Sequence, residues 1–368
     1  MLSFAFYFIL IFSFFVLLSI ALYGTWVTLR ALFLRDAQYS RSKNIALKSF
    51  LANAIVLVIM ILSDRYFPNL YRWILNYLGV ISFSFFIALL YWIPQWAFRV
   101  MSGGWFSISA SNKRLLGFSY IAATAVVVTI SVYNFHKPEQ IVEFTLQSNK
   151  VSAPVRFVHI SDIQYGTTTL SEMNDKLDRV YQLQPDFIVF TGDLIDFEAY
   201  RTEDFARLAE SPVPIFFERG NHEFYHDPTR LLSDLNQVET LRLLLNDKAQ
   251  YGEVEIVGVD YGRKDGHLAK HLAKLPLDKN RFSILLYHEP VDIEVGVAHG
   301  FDLLLYGHTH GGQIWPYTWL VDAMYEYADG FFKVGDSIVY TSDGLSLWGP
   351  RMRFGSQNEI VLFTIEPS

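Results

Sequence analysis

Asp162, Gln164, Asp193, Asn221, His288, His308 and His310 are the residues whose types and order could do chemistry together. Each follows a short apolar run. The runs end in Ser161-Asp162-Ile163-Gln164, Gly192-Asp193-Leu194-Ile195-Asp196, Gly220-Asn221-His222-Glu223, His288-Glu289-Pro290 and Gly307-His308-Thr309-His310-Gly311-Gly312-Gln313. Carboxylate and amide oxygens are hard ligands and imidazole is borderline, so the set suits divalent cations. Two such cations, about 3.5 to 4 Å apart, could share an aspartate and clamp a phosphate. The chain has no cysteine, which excludes disulfides, thiolate zinc sites and a cysteine nucleophile.

For these residues to meet, the runs before them must be strands whose ends converge. Residues 156–160, 186–190, 214–218, 282–287 and 303–306 read as apolar strands between turns and amphipathic helices, the pattern of an α/β or α+β domain. Loops at one edge of a sheet are where such folds build their sites. We expect a linker and first strand over 137–154 and the domain proper over 155–368.

The first part of the chain has a different solvent in view. Of the 30 Lys/Arg and 37 acids, residues 1–136 hold ten and two, leaving 20 and 35 beyond; the parts carry +8 and −15. The acidic part offers no general attraction for a nucleic-acid backbone, and none is expected as a partner. Residues 2–29 contain no charge and exceed the length a ~30 Å hydrocarbon core requires. Runs at 45–63, 70–93 and 115–133 follow, giving four expected spans, with a re-entrant pair at the second and third as the alternative. No charged residue lies centrally in a run, so anchoring is expected and not transport. Eight Lys/Arg flank the first and third connecting loops, which places those loops in the cytoplasm and the acidic domain on the other side of the cell membrane.

The five blocks, in this order, resemble those of the calcineurin-like metallophosphoesterases, over about residues 155–313. With the transmembrane region and the Gly-His-Thr-His-Gly-Gly-Gln run, the chain is most similar to the membrane-associated bacterial group typified by YkuE and YaeI. The resemblance implies a four-layer sandwich, two sheets face to face with helices outside. It also implies that Asp162, Gln164, Asp193 and His310 surround one metal and Asp193, Asn221, His288 and His308 the other, Asp193 bridging. The first block of the family ends in His, where this chain has Gln164. A neutral amide oxygen in its place favours Mn²⁺, with Mg²⁺, Fe or Zn²⁺ as alternatives.

By the same resemblance His222 is the acid for the leaving group, oriented by Asp196. The expected activity is hydrolysis of a phosphoester or pyrophosphate of a small molecule or a lipid, since the anchor keeps the site near a bilayer. The competing expectation is a catalytically weak metal-binding sensor on a membrane bundle. Arg351 and Arg353 are candidates for contacting a substrate phosphate. His159 falls on the opposite strand face from Asp162 and reads as a packed histidine. Glu223 and Glu289 read as supports of their neighbouring ligands.

Overall fold

The computed structural model describes residues 67–103, 109–197, 200–225 and 227–368, and four isolated positions between 52 and 59. The first expected span and, apart from those positions, the second therefore lie outside the described residues. The chain divides into two units. One contains the helices up to Tyr133 together with Gly349–Met352, and the other comprises Asn134–Trp348 and Arg353–Ser368.

The helical unit contains α1 (Pro68–Met101) and α2 (Ala110–Phe135). Both are apolar around most of their circumference and long enough to cross a membrane. They cover the expected third and fourth spans and extend beyond them. Pro68 opens α1 at a position where its missing N–H costs no hydrogen bond. The helices meet through Ile87, Ala88 and Tyr120. They also share polar contacts between Ser84 and Tyr120 and, at 2.8 Å, between Tyr91 and Ser119.

The second unit holds two six-stranded sheets. The first, ordered β1-β12-β2-β3-β4-β5, is built from β1 (Gln140–Ser148), β2 (Val155–Ile160), β3 (Phe187–Thr191), β4 (Ile215–Glu218), β5 (Leu241–Leu243) and β12 (Glu359–Pro367). The second, ordered β10-β11-β9-β8-β7-β6, uses β6 (Asp247–Tyr251), β7 (Val254–Gly258), β8 (Phe282–Leu286), β9 (Leu303–Tyr306), β10 (Gly330–Val334) and β11 (Ser337–Thr341). Strands β2, β3 and β4 run parallel, as do β8 and β9, so their C-terminal ends reach the same edge of each sheet. The stretch read as a linker and first strand contains β1, which pairs parallel with β12 over nine residues.

Alternation along each strand sends side chains to two faces, and three separate cores result. Phe157, Phe187 and Val189 meet Ile284, Leu286 and Leu305 between the sheets. Outside the first sheet, Ile188 and Phe190 pack on Met173, Leu177 and Val180 of α3 (Leu170–Gln182) and on Leu231 and Leu235 of α4 (Pro228–Leu235). Outside the second, Leu285 and Leu304 pack on α5 (His267–Leu272) and α6 (Ile293–His299). This is the expected layering, helix on sheet on sheet on helix. Helix α3 shows how the sequence encodes it. Its apolar residues recur at i, i+4 and i+7, and each fully buried one contributes roughly 1.5–3 kcal/mol. Thr169 and Glu172 close its start with a reciprocal capping box.

Candidate metal centre

The five strands predicted to carry the site appear within a residue or so of their expected limits, and each delivers its polar residue at its C-terminal end. The turns that follow are tight. Asp162, Gln164, Asp193, His308 and His310 all adopt left-handed backbone, with φ between 52° and 72°. Such conformations cost non-glycine residues about 1–3 kcal/mol each and persist only where the surroundings enforce them. The neighbouring glycines allow the loops to touch. A Cβ on Gly220 would lie 2.2 Å from Asp193 Oδ1 and 2.7 Å from His288 Cε1, and one on Gly307 would lie 1.8 Å from Ser161 Oγ.

One group forms around His288. Its Nδ1 lies 2.7 Å from the Thr191 carbonyl and donates there, so Nε2 presents a lone pair. That atom is 3.0 Å from Asn221 Oδ1, 3.2 Å from Asp193 Oδ2 and 3.2 Å from His308 Nδ1. The ligand atoms of Asp193, His288 and His308 all lie within 4.8 Å of one another. Acceptors brought this close repel unless a proton or a cation lies among them. The electrostatics agree: burial alone would lower the His288 pKa, yet Asp193 and Asp162 raise it well above 6.5. Burial would raise Asp193, and His288 and His222 instead hold it well below the carboxylate range. His308 goes down, through burial and then His288.

A second group adjoins it through Asp193. Gln164 donates from Nε2 to Asp193 Oδ2 at 2.8 Å, while its buried Oε1 has no hydrogen-bond partner. Asp162 Oδ1 faces His310 Nε2 at 3.4 Å; its Oδ2 accepts from Ser161 Oγ at 2.5 Å and from the His308 N–H at 3.0 Å. Burial pushes Asp162 up to about 6 against the pull of His288, and burial pushes His310 down to about 3. An unpartnered amide oxygen, a carboxylate and a neutral imidazole, all buried, form a donor set that fits a second cation.

His222 faces the cluster from the side. Its Nδ1 is 3.0 Å from Asp196 Oδ1, which fixes the ring, and its Nε2 is 3.8 Å from Asp193 Oδ2. Burial would lower its pKa, but Asp193 and Asp196 raise it to about 9. Asp196 is held in turn by Thr167 Oγ1 at 2.5 Å. Glu223 accepts the N–H groups of Asp193, Leu194 and Gly220 at 2.7–2.9 Å and so ties two site loops together. Glu289 takes the Tyr325 hydroxyl at 2.9 Å and lies 3.9 Å from His308 Nε2.

Arg353 does not behave as expected. Arg353 is fully buried, and its donors go to Asn358, Ser356 and the carbonyls of His310, Asp343 and Ser346. A guanidinium has five N–H groups, and all five are used, so none is left for a phosphate. Arg353 braces the loop that carries His310. The backbone N–H of Arg351 donates to Asn76 Oδ1 at 2.8 Å, which leaves the role expected of its guanidinium untested. His159 is buried on a Thr191 hydroxyl at 2.8 Å, packed as expected.

Sequence reasoning missed Tyr225, Thr167 and Arg263. The Tyr225 hydroxyl accepts from Asn221 Nδ2 at 2.7 Å, and its ring lies 4.7 Å from that of His222. Its position four residues after Asn221 on the same turn was the available signal. Thr167 gave none. Arg263 lies 3.8 Å from Glu289 Oε2, on a loop without a distinctive pattern.

Comparison with known proteins follows the same residues. Positions 155–312 match the family of calcineurin-like phosphoesterases. A Campylobacter jejuni protein named as an uncharacterized metallophosphoesterase is 28% identical over 97% of this chain and 98% of its own length. A Danio rerio transmembrane protein with metallophosphoesterase domain is 28% identical over 64% of this chain and 60% of its own length. The metallophosphoesterase YkuE of Bacillus subtilis is 28% identical over 56% and 76%.

Proposed function

With residues 155–312 a calcineurin-like metallophosphoesterase domain, and the chain thus a metal-dependent phosphoester hydrolase, we propose that it works with two divalent cations while anchored in a membrane. Asn221, His288, His308 and Asp193 would hold one cation, and Asp162, Gln164, His310 and the shared Asp193 the other. The supporting observation is the meeting of buried acceptors around His288 Nε2, together with the unpartnered Gln164 Oε1. When bound, the cations would supply positive charge for the phosphoryl oxygens and acidify water for attack.

The protein's own residues supply the rest. The Thr191 carbonyl fixes the tautomer of His288. Glu223 keeps the Asp193 and Gly220 loops in register through their N–H groups. His222 stands opposite the carboxylates with its ring set by Asp196, placed to give a proton to the leaving oxygen. Mn²⁺ is the expected metal, because a neutral amide stands where a further imidazole would favour softer ions. Helices α1 and α2 support the membrane anchor. The anchor favours a phosphoester or pyrophosphate carried on a lipid, and the net negative charge of the chain beyond residue 136 disfavours nucleic acid.

Metal analysis of the purified full chain, beside an aryl phosphate assay, tests this reading. About two divalent ions per chain are expected, with hydrolysis lost on chelation and restored best by Mn²⁺. Full activity in metal-free protein overturns it.

A further inference from the structure

Helix α7 (Tyr317–Met324) starts seven residues after His310 and breaks the rule the other helices of its unit obey. It has no buried residue. Trp319 is 65% exposed, Leu320 54%, Met324 66% and Tyr317 39%. Trp315 lies edge-on to Trp319, ring centres 5.3 Å apart, and extends the same apolar surface. Amphipathic helices normally turn such residues inward, and a contiguous apolar patch on a soluble domain marks a surface that something covers.

Composition narrows what that is. Between Gln313 and Phe332 there is no Lys or Arg, only Asp322, Glu326 and Asp329. An acidic protein or anionic lipid would therefore find no charge to attract it. Trp and Tyr beside Leu and Met are the residues that settle at a bilayer's polar boundary. A bilayer is also within reach, because the same chain carries two helices able to span one.

We propose that α7 inserts into the lipid interface, with Trp319, Leu320 and Met324 among the upper acyl chains. This rests on the membrane-anchored reading given above. The insertion bears on catalysis because α7 is joined closely to the metal loop. A Cβ on Gly312 would lie 2.4 Å from Thr318 Cα, and the Tyr317 N–H donates to the Ile314 carbonyl at 2.8 Å. A helix seated at the headgroup level thus holds the His308–His310 loop near that level. The substrates favoured are phosphoesters whose apolar part stays in the membrane.

The chain has no cysteine, so single cysteines report position cleanly. Leu320→Cys and, as an exposed control, Lys279→Cys would be labelled with an environment-sensitive fluorophore. The full chain would then be placed in phosphatidylcholine vesicles containing lipids with a nitroxide near the headgroup. The label at 320 is expected to shift to the blue and lose about half its emission or more, and the label at 279 to do neither. Adding anionic lipid should change little. A water-like label at 320, or a blue-shifted one that the lipids do not quench, overturns the proposal; the latter would mean that protein covers the helix. A dependence on anionic lipid overturns it as well.

A double variant, Trp319→Glu with Leu320→Glu, carries the consequence. It should hydrolyse a soluble aryl phosphate nearly as wild type does and a vesicle-embedded lipid phosphate about tenfold more slowly. Unchanged lipid turnover is the contrary result. If wild type hydrolyses neither, the hydrolase reading fails while the quenching still decides where α7 lies.

Discussion

His222 and Asp193 face each other 3.8 Å apart, yet they should fail in different ways when altered. His222 points at the cluster without joining it, so His222→Ala should keep its metal and slow hydrolysis of a poor leaving group by roughly 10²- to 10⁴-fold. An activated aryl ester needs little protonation and should be affected less. Asp193→Asn should instead lower metal content, because it removes the charge both cations would share. Metal analysis beside turnover of the two esters separates the outcomes. Loss of metal from His222→Ala would transfer that residue to the ligand set. Arg353 is a third case. Replacing it with Met leaves buried carbonyls of His310, Asp343 and Ser346 without donors, which should cost at least about 3 kcal/mol. Thermal unfolding should fall by roughly 6–12 °C. A normal melting temperature with a raised KM would restore Arg353 to substrate binding.

Strand β2 carries a titration of its own. His159 is sealed between the sheets against Thr191 and Tyr340, and burial holds its pKa down at about 3. In the unfolded chain a histidine takes up a proton below about pH 6.5. Between those values the unfolded state binds the proton and the native state does not, so stability falls as pH drops through the window, by up to about 1.4 kcal/mol per unit. His159→Gln keeps a hydrogen-bonding group for Thr191 and cannot titrate. Its unfolding midpoint in urea should change less than that of wild type between pH 6.5 and 4. Parallel curves for the two proteins would show that His159 is solvated in the native state.

The whole chain poses the question of side. Arg30, Arg35, Arg41, Lys43 and Lys48 flank the first connecting loop, and Arg99, Lys113 and Arg114 the third. Positive charge is retained in the cytoplasm, so the hydrolase domain should face outward. A cysteine introduced at Ser356 should react with an impermeant reagent in intact cells, and one at Ser42 only after lysis. The opposite labelling pattern reverses the orientation and gives the enzyme cytoplasmic substrates.

The sequence by itself determined the five strands, the polar residue at the end of each and the resemblance these carry, because alternation and turn chemistry are local and every block but the first, where Gln164 stands in place of His, was intact. It also determined the apolar lengths of α1 and α2. Tertiary structure decided what depends on distant contacts. The left-handed backbone at Asp193 is held by Glu223, which accepts its N–H from a loop some 30 residues further along, and Gly220 lets the two loops touch. Arg353 looked like a phosphate ligand because an arginine in a loop carries no local mark of burial, and only the fold wraps three carbonyls around it. The apolar run of α7 reads like a core helix by composition. That none of its residues is buried outright follows from where the turn His310–Gly312 leads the chain, which spacing along the sequence does not encode.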